Sequence, residues 1–387
     1  MNLLFYLRDF PADDDYGRDY TELARCLSRL GHRVTALTER PAAPRDIDGI
    51  ECHPCPPLAA FGMGFRPLDT VLGHLRPAGG WDAVLAVEWW NSRTHVLSRS
   101  ALGSGLPVLL APWASLNPYA IDRNRLKWLK RVFTRLAPFY YGSRRPTLQV
   151  YDPVDIDYAR RLGLDWPAVV APLPVYDDYP APSANFDWET ALGRPLGNRR
   201  VLFFNARLDL WQKGYDYLLE GFRQAMASRG PELRTVLVLS GRDPDGPLRG
   251  QYAIAERLAE PLCRTGHVIW KGYLSTQERT DMLAHCDMFV YPSRVDGPPR
   301  PLREALWRGT PVMATYETGL GRWAESYGAG IPIRQPSAQG VRDAVIEFDA
   351  METHQLQAMR APAGRLALRL RAGTVALDYQ AVLSMLG

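Results

Sequence analysis

The stretch Pro292–Val312 reads PSRVDGPPRPLREALWRGTPV. Directly before it lies MFVY at Met288–Tyr291, a short apolar run closed by a proline, which is the pattern of a buried strand. Pro299 and Pro301 preset backbone φ for a first helical turn; Leu302, Ala305 and Leu306 give that helix an apolar side, and Gly309 supplies its stop. Thr310–Ala314 (TPVMA) reads as the next strand. Strand, ligand-facing loop, helix and strand in that order form the unit of a doubly wound parallel sheet. Asp296 and Glu304 flank the loop, one before the helix and one within its first turns. Such a pair suits two polyol contacts on one bound molecule, for example a ribose and a sugar.

With its spacing and flanking strands, this stretch resembles the Glu-x7-Glu signature of retaining GT-B glycosyltransferases, glycosyltransferase family four (group 1) in particular. Pro292, Ser293, Gly297, Pro301, Glu304, Ala305, Gly309, Thr310, Pro311 and Val312 match that signature in register. Asp296 stands where the first Glu is usual, and Pro298-Pro299 replaces an aromatic-Gly pair. The resemblance covers most of the C-terminal half and, more loosely, the N-terminal half. It implies an α/β GT-B architecture, two Rossmann-like doubly wound domains facing a central cleft.

Length and composition agree with two α/β domains. The chain has 387 residues, 46% of them apolar, enough for two sizeable cores. No apolar run approaches the roughly 20 residues of a membrane-spanning helix. The N-terminus, MNLLFYLRDFP, reads as a first strand rather than a signal peptide. Five scattered cysteines fit a reducing cytosol without a disulfide framework, so a cytoplasmic protein is expected. Cys52-His53-Pro54-Cys55 brings three candidate metal ligands together, but no second pair completes a site, and no metal is expected.

In chain order, Leu3–Leu7 is expected as the opening strand and Arg18–Leu30 as a helix, with Gly17 in the turn between them behind Asp13, Asp14 and Asp15. That turn should lie at the carboxyl edge of the sheet, where ligands bind in such folds. By resemblance, Gly17 is a donor-side candidate and Asp15 an acceptor-side one; a solvated acidic loop is the plain alternative. Residues 39–80 are dense in proline and glycine and read as loops. Asp82–Val87 is a strand with Glu88-Trp89-Trp90-Asn91 at its end. Tryptophan faces stack on sugars and the polar pair can bind hydroxyls, so Glu88, Trp89 and Asn91 are acceptor-side candidates, with simple packing of the tryptophans as the alternative. Trp113 follows the strand Pro107–Leu110. It takes about the place of a histidine found in many relatives, so no catalytic histidine carries over.

Between Ile121 and Arg145 stand eight Lys/Arg and one Asp, interleaved with Trp128, Leu129, Val132, Phe133 and Leu136. This pattern suits a helix lying on an anionic membrane, and equally a charged helix packed on its own domain. A peripheral contact with the inner membrane face therefore stays open. No nucleic-acid motif accompanies the charge. Domain boundaries are expected as 1–176 for an acceptor-side domain, 177–199 for a linker and 200–371 for a nucleotide-sugar domain. By resemblance the last helix, about 372–387, packs back on the first domain.

The second domain opens with Val201–Asn205, followed by Arg207 and Lys213. In the family, an Arg and a Lys at this spacing hold the pyrophosphate; two fixed cations neutralise a leaving diphosphate. Gly272 and Tyr273 match the loop beside the nucleotide base, and Glu317–Gly330 reads as Gly-rich loops near the donor sugar. The implied activity is retaining sugar transfer of hexosyltransferase type from a nucleoside-diphosphate sugar to a glycan, lipid-linked or small-molecule acceptor, as in polysaccharide biosynthesis, without cofactor or metal. Glu304 would take the ribose hydroxyls and Asp296 those of the sugar. Pro298 and Pro299 lack N–H groups, which leaves Gly297 and Arg300 to point amides at the donor. Glu304→Ala and Lys213→Ala are expected to abolish transfer and keep the fold. A non-catalytic nucleotide-binding partner and a sugar-nucleotide epimerase are the competing readings.

Overall fold

The computed structural model describes residues 1–10, 15–39, 45–62, 66–122, 126–175, 179–242 and 249–386. The chain divides into two compact units, Met1–Pro174 with Leu370–Gly387, and Val175–Arg369. The segment 177–199, expected as a linker, thus falls within the second unit.

The first unit runs β1 (Asn2–Tyr6), α1 (Asp15–Arg29), β2 (Arg33–Thr38), β3 (Arg45–Ile47), β4 (Ile50–Pro54), α2 (Leu58–Phe61), α3 (Leu68–Leu72), β5 (Ala83–Val87), α4 (Ser92–Gly103), β6 (Val108–Ala111), α5 (Pro118–Asp122), α6 (Lys127–Tyr141), β7 (Thr147–Val150), α7 (Pro153–Arg161) and β8 (Ala168–Val170). Its strands order as β3-β4-β2-β1-β5-β6-β7-β8, parallel except for the β3–β4 pair. The loops expected over 39–80 are corrected here. They hold β3, β4 and two short helices, because Ile50 and Cys52 alternate into the core while Pro54, Pro57 and Pro67 sit at element ends.

Side chains of β1 alternate between two cores, as a period of two requires. Leu3 and Phe5 pack with Tyr20, Leu23 and Leu27 of α1. Leu4 and Tyr6 pack with Leu97 and Ala101 of α4. Both faces are covered, which explains why β5 reads as an unbroken apolar run.

The second unit runs α8 (Trp188–Leu192), β9 (Arg200–Arg207), α9 (Tyr215–Arg229), β10 (Thr235–Arg242), α10 (Arg249–Cys263), β11 (Val268–Gly272), α11 (Thr276–His285), β12 (Met288–Tyr291), α12 (Arg300–Trp307), β13 (Val312–Thr315), α13 (Gly321–Tyr327), β14 (Gly330–Ile333), α14 (Ala338–Ala350) and α15 (Thr353–Arg369). The last helix, α16 (Ala372–Leu386), belongs to the first unit, where Val375, Tyr379 and Leu383 join the core beneath α1. The second sheet orders β11-β10-β9-β12-β13-β14, all parallel. Glu317–Gly330 is mostly regular rather than looped, with a 3-10 turn at Tyr316–Thr318 and α13. Its glycines cap turns at Gly319 and Gly328 with positive φ.

Candidate active site

The chain leaves β9 to build β10 and β11 on one side, then returns to place β12, β13 and β14 on the other. Strand order therefore reverses between β9 and β12, and the carboxyl ends of these two strands form the crevice where ligands bind in such sheets. The β9–α9 loop and the signature loop meet there. Lys213, 8% exposed, forms an ion pair with Asp296. The Tyr291 hydroxyl donates to the same carboxylate at 3.3 Å, and the Lys213 ammonium lies 5.5 Å from the Tyr291 ring centroid.

The two loops are tied at several points. Ser293 Oγ donates to the Gln212 carbonyl at 2.8 Å, the Arg294 amide donates to the same carbonyl at 2.9 Å, and Arg294 grips Asp216 with two nitrogens at 2.7 and 2.5 Å. Gly214, with φ +65°, begins α9 directly under Pro292; a Cβ there would sit 1.9 Å from the Pro292 carbonyl oxygen. The Lys-Gly pair is thus a close-approach device that brings the lysine to the acid.

Arg207 ends β9, exposed, and its guanidinium has no hydrogen bond or ion pair among the described residues. Gly272 and Tyr273 lie at the end of β11, two strands away along the same edge. Tyr273 is exposed, and a Cβ on Gly272 would meet Tyr252 Oη at 2.3 Å. Gly297, Pro298 and Pro299 are buried, and Arg300 opens α12 with its guanidinium 5.9 Å from the Tyr179 ring centroid.

Glu304 is placed differently from an open ribose contact. It is fully buried. Arg308 donates to its Oε1 at 3.1 Å, the Thr280 hydroxyl to the same atom at 3.3 Å, and Arg279 lies 3.4 Å from Oε2. The reason is that α12 buries Leu302 through Leu306 against α15, α11 and the strands β12 and β13, while Arg308 at its end donates to the Pro180 carbonyl at 2.6 Å. In this conformation Asp296 and Lys213 are brought together, and Glu304 is held in a separate buried ion cluster.

The first sheet reverses between β1 and β5. Tyr6, at the end of β1, donates to Glu39 at 2.8 Å; Asn91 Nδ2 donates to Tyr6 Oη at 2.8 Å and to Glu39 at 3.0 Å; Arg93 pairs with Glu39 at 3.1 Å. Burial opposes ionisation of Glu39, but the hydrogen bonds from Asn91, Tyr6 and Arg93 outweigh it and hold the carboxyl below its usual range. Glu88 is half-buried at φ +81°, with Arg8 at 3.7 Å from its carboxylate. Burial raises its carboxyl, and the Arg8 charge offsets part of the rise. Non-glycine residues in left-handed backbone cost free energy and gather at functional sites. Trp113 (φ +55°) and Ala114 (φ +52°) at the end of β6 share this feature.

Among the acceptor-side candidates, Asn91 and Glu88 reach this edge. Trp113 is half-buried, its ring 6.0 and 5.7 Å from those of Tyr20 and Tyr151. Trp89 is corrected. It is fully buried among Trp166, Phe133 and His95 and offers no face to a sugar. Gly17 is also corrected from turn to helix: it is buried in the first turn of α1, and its carbonyl accepts from Thr21 at 2.7 Å. Asp15 begins α1, and its side chain lies outside the described residues, as do Asp13 and Asp14. Tyr6, Glu39 and Arg93 were not singled out in the sequence, because they converge from three separate elements and form no short motif. Among the described residues no group of three or more His, Cys, Asp or Glu is set to hold a metal ion.

Two parallel sheets of this order, each covered on both faces, define a GT-B glycosyltransferase fold. Residues 199–348 match the family described as Glycosyl transferases group 1. No curated protein matches the chain. Solved structures do. The Anabaena protein HepE in complex with UDP is 16% identical with TM-score 0.66, covering 100% of each chain. Sucrose-phosphate synthase from Thermosynechococcus elongatus is 15% identical with TM-score 0.68, covering 100% of this chain and 98% of that one. A glycosyltransferase from Rickettsia africae is 14% identical with TM-score 0.64, covering 100% and 98%. At these identities the likeness is one of fold.

Proposed function

We propose that the protein moves a sugar from a nucleoside-diphosphate sugar to an acceptor hydroxyl, with retention at the anomeric carbon and without metal or cofactor. The observation that carries this reading is the Lys213–Asp296 pair at the strand-order reversal, with Arg207 on the adjoining strand end. An incoming diphosphate would take the Lys213 ammonium from Asp296 and gain the Arg207 guanidinium. Asp296, released, then accepts from hydroxyls of the sugar. The bond from the anomeric carbon to the phosphate oxygen breaks, the acceptor oxygen bonds on the same face, and its proton passes to the departing phosphate oxygen. The protein supplies fixed charge and position rather than a nucleophile. Gly272 and Tyr273 would lie against the base, and Gly297 and Arg300 near the donor. Glu88 and Asn91, on the other sheet, are the polar groups proposed to meet the acceptor.

The test is thermal stability against uridine, guanosine and adenosine diphosphates and their sugars, followed by product analysis. HepE was crystallised with UDP and UDP-glucose, so the uridine series comes first. A ligand at a hundred times its dissociation constant stabilises by about 2.7 kcal/mol. A selective response, lost in Lys213→Ala, supports the reading. No response to any nucleotide sinks it and favours a non-catalytic partner; donor conversion without acceptor would indicate an epimerase.

The helix α6 supports an anionic membrane surface as a further partner. It carries Lys127, Lys130, Arg131 and Arg135 and no carboxylate. Thr134, Ala137 and Tyr141 face the core, while Trp128, Val132, Leu136 and Phe139 form an exposed apolar stripe, Phe139 at 81% exposure. Apolar side chains flanked by cations fit the boundary of an anionic bilayer, each cation near the surface being worth about 1 kcal/mol. No described helix is long and apolar enough to cross a membrane. Sedimentation with anionic and with neutral vesicles tests this. Salt-sensitive binding to the anionic vesicles, lost in Trp128→Ser/Phe139→Ser, is expected; no binding, or binding indifferent to that variant, overturns it.

A further inference from the structure

At the amino edge of the second sheet, opposite the edge that bears Lys213, lies an open cavity of about 650 Å³. Arg199 and Arg200 enter it from the start of β9, Arg234 from the residue before β10, and Arg360 from α15. Asn198, Thr353 and Gln357 also line it.

The partners of these arginines are unusual. Arg199 donates to the carbonyls of Leu196, Gly266 and Pro195 at 3.2, 3.0 and 3.4 Å. Arg234 donates to the Asp349 carbonyl at 2.9 Å, and Arg360 to those of Cys286 and Ala284 at 2.8 and 3.4 Å. Arg200 is 7% exposed, and only its Nη1 finds acceptors, the carbonyls of Phe348 and Asp349 at 3.1 and 3.3 Å. Its Nε and Nη2 have none among the described residues. No described carboxylate lies within ion-pair distance of any of the four.

Acids do stand nearby. Asp287 lines the cavity, but its Oδ2 is taken by the Val201 amide at 2.7 Å, and burial raises its carboxyl. Asp349 is fully buried and turned from the four: its Oδ1 accepts from the Arg234 amide and the Thr235 hydroxyl, both at 2.8 Å, and its Oδ2 faces Arg229 at 3.5 Å. Glu352 is a weaker neighbour of Arg200. The Arg200 Nε and Nη2 donors are left to the cavity, beside three more guanidinia that hold only carbonyls, so an anion entering it meets fixed positive charge that no carboxylate neutralises. Fork-shaped donors match phosphate oxygens two at a time.

The geometry points to a second ligand site here, one that takes a small phosphorylated metabolite of the sugar-phosphate class. The arginines receive the phosphate, while Asn198, Thr353 and Gln357 meet hydroxyls. The volume exceeds that of a lone phosphate and suits a small organic ligand. The site stands apart from the donor crevice and does not depend on the reading given for it.

The experiment is calorimetric titration of the full chain with inorganic phosphate, pyrophosphate and glucose 6-phosphate. It uses wild type, Lys213→Ala and an Arg234→Gln/Arg360→Gln variant. Glucose 6-phosphate should bind wild type and Lys213→Ala alike, more tightly than phosphate, and at least tenfold more weakly in the arginine variant. Arg234→Lys alone keeps the charge and the fold and should fall between, which separates ligand loss from misfolding. Absence of binding by all three probes, or binding that Lys213→Ala removes and the arginine variant keeps, overturns the site.

Discussion

Lys213 and Asp296, 83 positions apart in the chain, form an ion pair across the point where the second sheet reverses its strand order. The pair neutralises the cation that a diphosphate would need. On the proposed function, nucleotide and Asp296 would compete for one ammonium, and removing the carboxylate charge should favour the nucleotide. We expect Asp296→Asn to bind free nucleoside diphosphate up to about tenfold more tightly, a gain of about 1.4 kcal/mol, while sugar transfer falls at least a hundredfold. Titration calorimetry beside a transfer assay reads both. Weaker diphosphate binding in Asp296→Asn would show that the carboxylate orients Lys213 rather than competing with the ligand.

Glu304 leads to a different expectation from the one its motif suggests. Its carboxylate is the counter-charge of Arg308, 6% exposed, and of Arg279. Breaking a buried pair by deleting one partner leaves the other uncompensated and costs roughly 3 kcal/mol. Glu304→Ala should thus melt clearly below wild type, instead of keeping the fold while losing activity. Glu304→Gln, with the same volume, should lose less. A Glu304→Ala protein with wild-type melting would return the residue to a purely ligand-binding role.

Gly214 joins backbone geometry to the site. Alanine there must adopt φ +65° and pushes its Cβ against the Pro292 carbonyl, so the left-handed conformation alone costs about 1–2 kcal/mol and the clash adds to it. We expect Gly214→Ala to lower both stability and diphosphate affinity, because Lys213 precedes it directly. Gly364→Ala in α15 is the control: nothing lies within 4 Å of its added Cβ, and gaining helix propensity should stabilise by about 0.5–1 kcal/mol. Denaturant midpoints compare the two. Equal effects would refute the close-approach argument.

The second sheet could be read from the sequence because its strands are apolar runs ended by glycine or proline, and because Arg207 with Lys213, and Asp296 with Glu304, each fall in a short motif beside one of those strands. What the sequence hid was direction. Five consecutive residues of α12 are buried, so periodicity could not say whether Glu304 faced a crevice or a neighbouring helix. Trp89 was ambiguous for the same reason, since a buried aromatic and a sugar platform look alike until neighbours such as Trp166 and His95 are in place. The Tyr6–Asn91–Glu39 cluster was invisible because its members stand 33 to 85 positions apart. Arg200 and Arg234 belong to no short motif, yet they line one cavity and Arg200 is buried beside it.

His95 makes the stability of the first unit depend on pH. Its Nε2 lies 2.6 Å from the Trp89 carbonyl and its Nδ1 2.9 Å from the Tyr141 hydroxyl. A neutral ring satisfies both partners, with Nε2 donating and Nδ1 accepting. Burial holds the imidazole at about 4, against 6.5 when exposed. Between those values the unfolded chain binds a proton that the folded protein refuses. Stability is therefore complete above pH 6.5 and declines as pH falls toward 4, by on the order of 3 kcal/mol at about 1.4 kcal/mol per unit. His95→Gln retains a donor and an acceptor but does not titrate, so its unfolding free energy should fall less steeply over the same range. Denaturant titrations at several pH values between 4.5 and 7 decide the matter, and parallel curves for the two proteins would mean that His95 takes up its proton as readily in the fold as in the unfolded chain.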